Sequence, residues 1–289
     1  MTDAELAAHL AEVAGRLLIE VRSSNVLSLK ALGAAGDATA NQFLCHAIRE
    51  QRPDDGLLSE EEKDNPARLA KRRVWIVDPV DGTREFGEGR TDWAVHVALA
   101  IDGAPVIGAV ALPALDLVLR TDQPAVIPPA PAQLRMVVSR TRPAPEAVAV
   151  AEALGAELIP MGSAGAKAMA VVRGEADIYL HTGGQYEWDN CAPAAVALAV
   201  FGLCDVAQAV SVRFLPINQE MAGRKIALQD GKRLTELDDL NPKKRSKAYA
   251  CSAGKTPAAL VALADSGLAA ESLAVAVEAI MTCDGRVGA

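Results

Sequence analysis

The sequence predicts an α/β fold on three observations. Segments with apolar residues at helical spacing alternate with short apolar runs bounded by proline and glycine. Acidic residues stand at the ends of those runs, where open α/β sheets carry their sites. The chain has 289 residues and 51% hydrophobic content, enough to bury a large core as one long domain or two closely joined ones.

Behind a Thr2 or Asp3 cap, Leu6, Leu10, Val13, Leu17 and Leu18 recur at helical spacing and predict an amphipathic helix over residues 3–21. A second helix is expected over 37–51, with Phe43, Leu44, Ala47 and Ile48 as its inner face. The loop RPDDG leads into Leu57 and Leu58, a short strand that delivers Ser59, Glu60 and Glu61 at its end. In RVWIVDPVDGTREF, residues 74–77 read as a buried strand stopped by Pro79 and Gly82, with a helix starting at Arg84. Residues 94–101 and 105–112 read as a hairpin turning at Asp102 and Gly103.

TDQPAVIPPAPAQ, residues 121–133, concentrates proline and is the expected linker, dividing the chain into units 1–132 and 133–289. The second unit opens with the strand LRMVVSR. GSAGAKAMAVVRGEADIYL then reads as loop, helix and strand, and EWDNCAPAAVALAVFG as a loop feeding another helix. Beyond it lie a basic stretch, NPKKRSK, and an alanine-rich tail with helical periodicity, residues 252–281. SAGKT, at the head of that tail, lacks the first glycine that a phosphate-binding loop requires. There is no internal repeat.

A formal charge of −8 and a pI near 5.1 argue against nucleic acid, whose backbone demands a basic face. An acidic protein that handles a phosphorylated small molecule needs cations between its carboxylates and that substrate. The 5 cysteines, at positions 45, 191, 204, 251 and 283, are scattered, form no zinc pattern and read as reduced thiols. The N-terminus carries acids where a signal peptide is basic, and no stretch reaches a membrane span, so a cytoplasmic protein without membrane contact is expected.

DPVDGT sets two carboxylates on a turn that Pro79 stiffens and Gly82 allows to reverse, so Asp78, Asp81 and the Val80 carbonyl can face one cavity. Hard divalent cations want such oxygen ligands, and a pair of them needs a bridging carboxylate. Glu60 could join from the preceding strand, and Asp189 from across a cleft. Alone, each motif is bland: Asp-Pro-x-Asp-Gly is a common solvated turn, Glu-Glu a charged surface, and an aspartate before a helix an ordinary cap. His46, His96 and His181 read as structural or exposed.

In combination and in order, LSEE, WIVDPVDGT, GSAGAK and EWDNCAP resemble the inositol monophosphatase superfamily over residues 1–200. DGTREF and VVSRTRP resemble its CysQ-type branch, which removes the 3′-phosphate of 3′-phosphoadenosine 5′-phosphate, a by-product of sulfate activation. The resemblance implies a layered αβαβα sandwich of the inositol monophosphatase and fructose bisphosphatase type. It also implies lithium sensitivity and a tendency to form homodimers. Carried over, it implies that Glu60, Asp78 and the Val80 carbonyl bind one magnesium and that Asp78, Asp81 and Asp189 bind a second. Asp37 would pair with Thr83, or with a third, weaker metal, to orient the attacking water. Glu60 and Thr83 join Asp37 as catalytic residues, and no phosphoenzyme is expected.

Gly82 and Thr83 are expected to hold phosphate oxygens through backbone N–H groups. Ser139, Arg140, Gly162, Ser163 and Lys167, with Asp189, form the expected substrate side, and Arg84 and Glu85 would help to choose the substrate. After about residue 205 the family pattern is lost. Two rival readings share much of this sequence. One is an inositol or fructose bisphosphate phosphatase with the same metals and a different pocket, and the other a catalytically silent metal- or nucleotide-binding protein.

Overall fold

The computed structural model describes residues 1–126, 133–183, 185–201, 210–213 and 247–253. Helix α1, Asp3–Ser23, opens on a capping box: Glu5 N donates to Thr2 Oγ1 at 3.2 Å and Thr2 N to Glu5 Oε2 at 2.8 Å. Helix α2 runs Leu29–Gln51, so it starts well before residue 37. Gly33 and Gly36 weaken helix propensity there, but tertiary packing overrides it. A Cβ at Gly33 would lie 2.7 Å from Thr83 Cγ2 and one at Gly36 2.6 Å from Phe86 Cε1, so these glycines admit the short helix α3, Thr83–Gly87. Asp37 thereby falls inside α2.

The first sheet comprises β1 Gly56–Ser59, β2 Arg73–Asp81, β3 Ala94–Ile101, β4 Ala104–Leu112 and β5 Leu117–Arg120, in that order. β1 pairs parallel to β2, and the rest are antiparallel. Pro79 does not stop β2 as expected. The strand continues to Asp81 through a register shift against β3 between Asp78 and Asp81, which absorbs the missing proline N–H. The expected hairpin turn is formed by Asp102 and Gly103, at φ of 52° and 81°.

The second sheet, in the order β7-β6-β8-β10-β9, uses β6 Arg135–Ser139, β7 Glu157–Met161, β8 Ile178–Gly183, β9 Val210–Arg213 and β10 Lys247–Ala253. β6 runs parallel to β7 and β8, while β10 is antiparallel to β8 and β9. Helices α4 Pro145–Leu154, α5 Ala164–Val172 and α6 Glu187–Phe201 complete the set. β5, α4, β7, β9 and β10 were not assigned from sequence, although α4 carries a first-turn proline and ends at Gly155 in the left-handed conformation.

The layers follow from which faces are apolar. Leu6, Leu10, Leu18, Leu44 and Ile48 of α1 and α2 cover Trp75, Val77, Val95 and Leu99 on one face of the first sheet. Val74, Ile76, Ala98 and Val110 on its other face meet Met169 and Val172 of α5 and Val196 and Val200 of α6. That cluster also takes in Val137 and Tyr179 of the second sheet, whose outer residues Met136, Val138 and Leu180 pack on Ala147, Val150 and Ala151 of α4. The result is an αβαβα sandwich. β2 is buried on both faces, which is why it reads as a continuous apolar run. Each large side chain so buried contributes about 1.5–3 kcal/mol before entropy is charged against it.

Cys45 and Cys191 are buried and free. Among the described residues no helix is long and apolar enough to cross a membrane. The middle of the expected linker, residues 127–132, most of NPKKRSK, the last three residues of SAGKT and the rest of the tail lie outside the described residues.

Candidate metal centre and active site

The ends of β1 and β2 meet the first turns of α3, α5 and α6 at one cluster of carboxylates. One ligand atom from each of Asp78, Asp81 and Asp189 lies within 4.8 Å of the others. Asp78 is 1% exposed, and its Oδ1 is sealed with no hydrogen-bond partner. Burial, and then the charges of Asp81, Glu60 and Asp189, push its carboxyl well above the usual range. Glu60, just past β1, stands on the open side with its carboxyl against Asp78. Burial of that carboxyl and the charge of Asp189 raise it to about 7. Asp37 is likewise raised to about 7 by burial and by Glu61 and Glu60, against a smaller opposing effect of the Thr83 hydroxyl.

Two like charges 4 Å apart repel by about 4 kcal/mol at the effective dielectric of a protein surface, so this side of the cluster lacks positive charge. An all-oxygen donor set with a sealed, undonated carboxylate oxygen fits a hard divalent cation. Thr83 Oγ1 lies 3.1 Å from the Val80 carbonyl and 3.4 Å from Asp37 Oδ1, which share its hydrogen. Gly82, at φ 91°, makes the reversal from β2 into α3.

Asp81 has the opposite environment. Its Oδ2 accepts from Ser163 Oγ at 2.5 Å and Gly165 N at 2.6 Å, and its Oδ1 from Ala164 N at 3.1 Å. His96 Nε2 lies 3.2 Å from Oδ2, off the ideal hydrogen-bond axis. Burial alone would raise this carboxyl, but the His96 charge and these donors outweigh it and hold it down at about 2. Ser163 pins the cradle from a strained position, φ 49°, its Oγ also accepting from Ala166 N at 2.8 Å.

Asp189 lies in the first turn of α6, not in a loop before it, and its Oδ2 accepts from Tyr186 N at 2.5 Å. Ser139 Oγ accepts from Arg142 N at 3.2 Å. Arg140, at the end of β6, is latched to Glu85 at 2.7 Å and Glu88 at 2.6 Å across the two halves. Gly162 N donates to Asp92 Oδ2 at 2.6 Å, and a side chain at Gly162 would strike Glu85 Cγ at 2.2 Å. Lys167 is 5% exposed and donates to the carbonyls of Gly162 (3.0 Å) and Ser163, under the loop it follows. Burial lowers its pKa against the pull of Asp81, Glu85, Asp92 and Asp189. Arg84 is exposed, while Glu85 is buried.

Sequence reasoning passed over Asp92 and set His96 aside as structural. Asp92 stands at the edge of the apolar run in TDWAVHVALA, and His96 interrupts it. That is the signal that could have drawn attention to them.

An αβαβα sandwich with a carboxylate cluster where its halves meet defines a site suited to metal-assisted chemistry on a phosphate. The chain belongs to the inositol monophosphatase family, whose sequence profile matches residues 4–204. It is 50% identical over 214 residues to a 3′-phosphoadenosine 5′-phosphate phosphatase of Mycobacterium leprae, covering 69% of this chain and 79% of that protein. It is 30% identical over 188 residues to the 3′(2′),5′-bisphosphate nucleotidase CysQ of Salmonella typhimurium, covering 57% and 72%. Among solved structures it resembles CysQ of Bacteroides thetaiotaomicron, with a TM-score of 0.60, 26% identity and coverage of 68% and 86%. Mycobacterium tuberculosis SuhB, at 21% identity and a TM-score of 0.55 over 91% and 96% of the two chains, shares the fold.

Proposed function

We propose that this phosphatase removes the 3′-phosphate of 3′-phosphoadenosine 5′-phosphate, giving AMP and phosphate, with magnesium held by Glu60, Asp78, the Val80 carbonyl, Asp81 and Asp189. The observation that carries the metal half is the sealed, undonated Asp78 Oδ1 among like charges. The substrate half rests on the 50% identity to phosphatases named for that nucleotide.

When bound, magnesium supplies positive charge to the phosphoryl and leaving oxygens and lowers the pKa of water. The chain's own residues do the rest. Asp37 and Thr83 orient the attacking water in line with phosphorus, the Thr83 hydroxyl lying between the Val80 carbonyl and Asp37 Oδ1. The N–H groups of Gly82 and Thr83 hold phosphate oxygens at the opening turn of α3. Gly162, Ser163 and Lys167 serve the substrate side by holding the loop before α5, and Arg140 and Ser139 shape its far edge. A homodimer, the assembly the resemblance implies, is checked by light scattering on the same preparation.

The test is phosphate release with magnesium from 3′-phosphoadenosine 5′-phosphate, inositol 1-phosphate and fructose 1,6-bisphosphate, with Asp78→Asn as control. Preference for the nucleotide, abolished in the variant and by millimolar lithium, is the expected result. Preference for a sugar phosphate would sink the substrate assignment alone, and no release from any of the three would sink the reading whole.

A further inference from the structure

His96 stands on β3 opposite Asp78 in the β2–β3 register and is 0% exposed. Its Nδ1 lies 2.9 Å from the Trp188 carbonyl. A carbonyl only accepts, so Nδ1 carries a hydrogen. The other nitrogen, Nε2, faces Asp81 Oδ2 at 3.2 Å. Trp188 immediately precedes Asp189, so one imidazole spans from the carboxylate at the end of β2 to the backbone that carries the carboxylate of α6. The ring has no freedom to leave: a Cβ at Gly165 would fall 1.9 Å from Nε2, so the first turn of α5 rests directly on it.

Packing does not account for this residue. Ala94 and Ala98 on the same face of β3, and Val110 opposite it on β4, are all fully buried and apolar, and an aliphatic side chain would fit among them without an imidazole to desolvate. The ring makes one hydrogen bond, from Nδ1 to the Trp188 carbonyl, and one close charge contact, from Nε2 to Asp81 Oδ2, and both lead to proposed cation ligands or the backbone that carries them.

We infer that His96 is a positioning residue, which holds Asp81 and Asp189 at a fixed separation and thereby sets the cluster's affinity for divalent cations. The inference rests on the cation-binding reading above. Residues that orient metal ligands from behind change metal affinity by about 10–100-fold when removed.

The experiment is a manganese titration followed by electron paramagnetic resonance on wild type, His96→Leu and His96→Asn. Thermal unfolding of the metal-free proteins and steady-state kinetics accompany it. His96→Leu keeps the bulk and loses both contacts. It is expected to weaken manganese binding about tenfold or more and to lower kcat, while KM for the phosphomonoester stays within about twofold. Asparagine can reach the Trp188 carbonyl from the Nδ1 position but not Asp81, and is expected to recover part of the affinity. Manganese affinities within twofold of wild type in both variants, with lowered unfolding midpoints, would overturn the inference and leave His96 as packing. If the leucine variant does not fold, His96→Asn decides alone: an affinity equal to wild type overturns the inference, and a weaker one supports it. Wild type that binds no manganese overturns the cation-binding reading before any variant is compared.

Discussion

Asp78 and Asp81 leave the same strand three residues apart, yet their surroundings differ in kind. On the β2 side, burial pushes the carboxyls of Asp78, Glu60 and Asp37 up, and the charge of Glu60 adds to the rise of the other two. On the α5 side, Asp81 is cradled by Ser163, Ala164, Gly165 and His96 and is pushed down to about 2. The difference separates two tasks. Protein donors anchor one carboxylate in advance, and the others are left short of positive charge for a cation to supply. A cluster satisfied throughout would hold its shape without a cation and gain little from one.

The largest expected effect breaks that comparison at its centre. Asp78→Asn and Asp81→Asn should each lower kcat by more than about a hundredfold, measured as phosphate release, but move metal-free stability in opposite directions. Removing the undonated charge at Asp78 should raise the unfolding midpoint by about 2–4 °C, the response of a chain this size to about 1 kcal/mol. Asp81→Asn puts an amide N–H₂ where donors converge and should lose about 1–3 kcal/mol. Shifts of the same sign in calorimetry would show that the two sides do not differ as described.

A second expectation concerns pH. Asp37 and Glu60 sit at about 7 in the fold, against 3.8 and 4.5 for the free side chains. Between those limits the native state holds more protons than the unfolded chain, so this contribution is full at low pH and is lost as pH rises through about 7. In chelator the midpoint should therefore fall from pH 5 to pH 8, and magnesium should reverse the fall. A midpoint flat across that range in chelator would remove the charge argument.

The smallest effect sharpens the boundary between the halves. Asp92 pairs with Arg90 and accepts from Gly162 N, and these donors outweigh burial and lower its carboxyl. Its contribution is present above the unfolded value near 4 and is lost as pH falls through the lowered native one. Asp92→Asn should lose about 1 kcal/mol at pH 7, discounted for the exposed Arg90, and nothing once both states are protonated. A loss that did not shrink as pH falls below about 4 in urea titrations would mean that the contact with Gly162, not the charge, matters.

Much of this was legible in the sequence because it is local or periodic. Spaced leucines behind a Thr2 or Asp3 cap predicted α1, the apolar run at 74–77 predicted a buried strand, and Asp102 and Gly103 marked the hairpin. The acidic motifs were visible too, since residue identity and spacing are written in the sequence. What the tertiary structure alone decided is which groups touch. It carried α2 back to Leu29 against two glycines because α3 packs there, and drew β2 past Pro79 by a register shift. It turned Lys167 and Arg140 inward onto the protein and made His96 the link between Asp81 and Trp188. Those contacts join residues tens of positions apart, and only the packing of the layers sets the distances between them; composition and spacing carry no record of that.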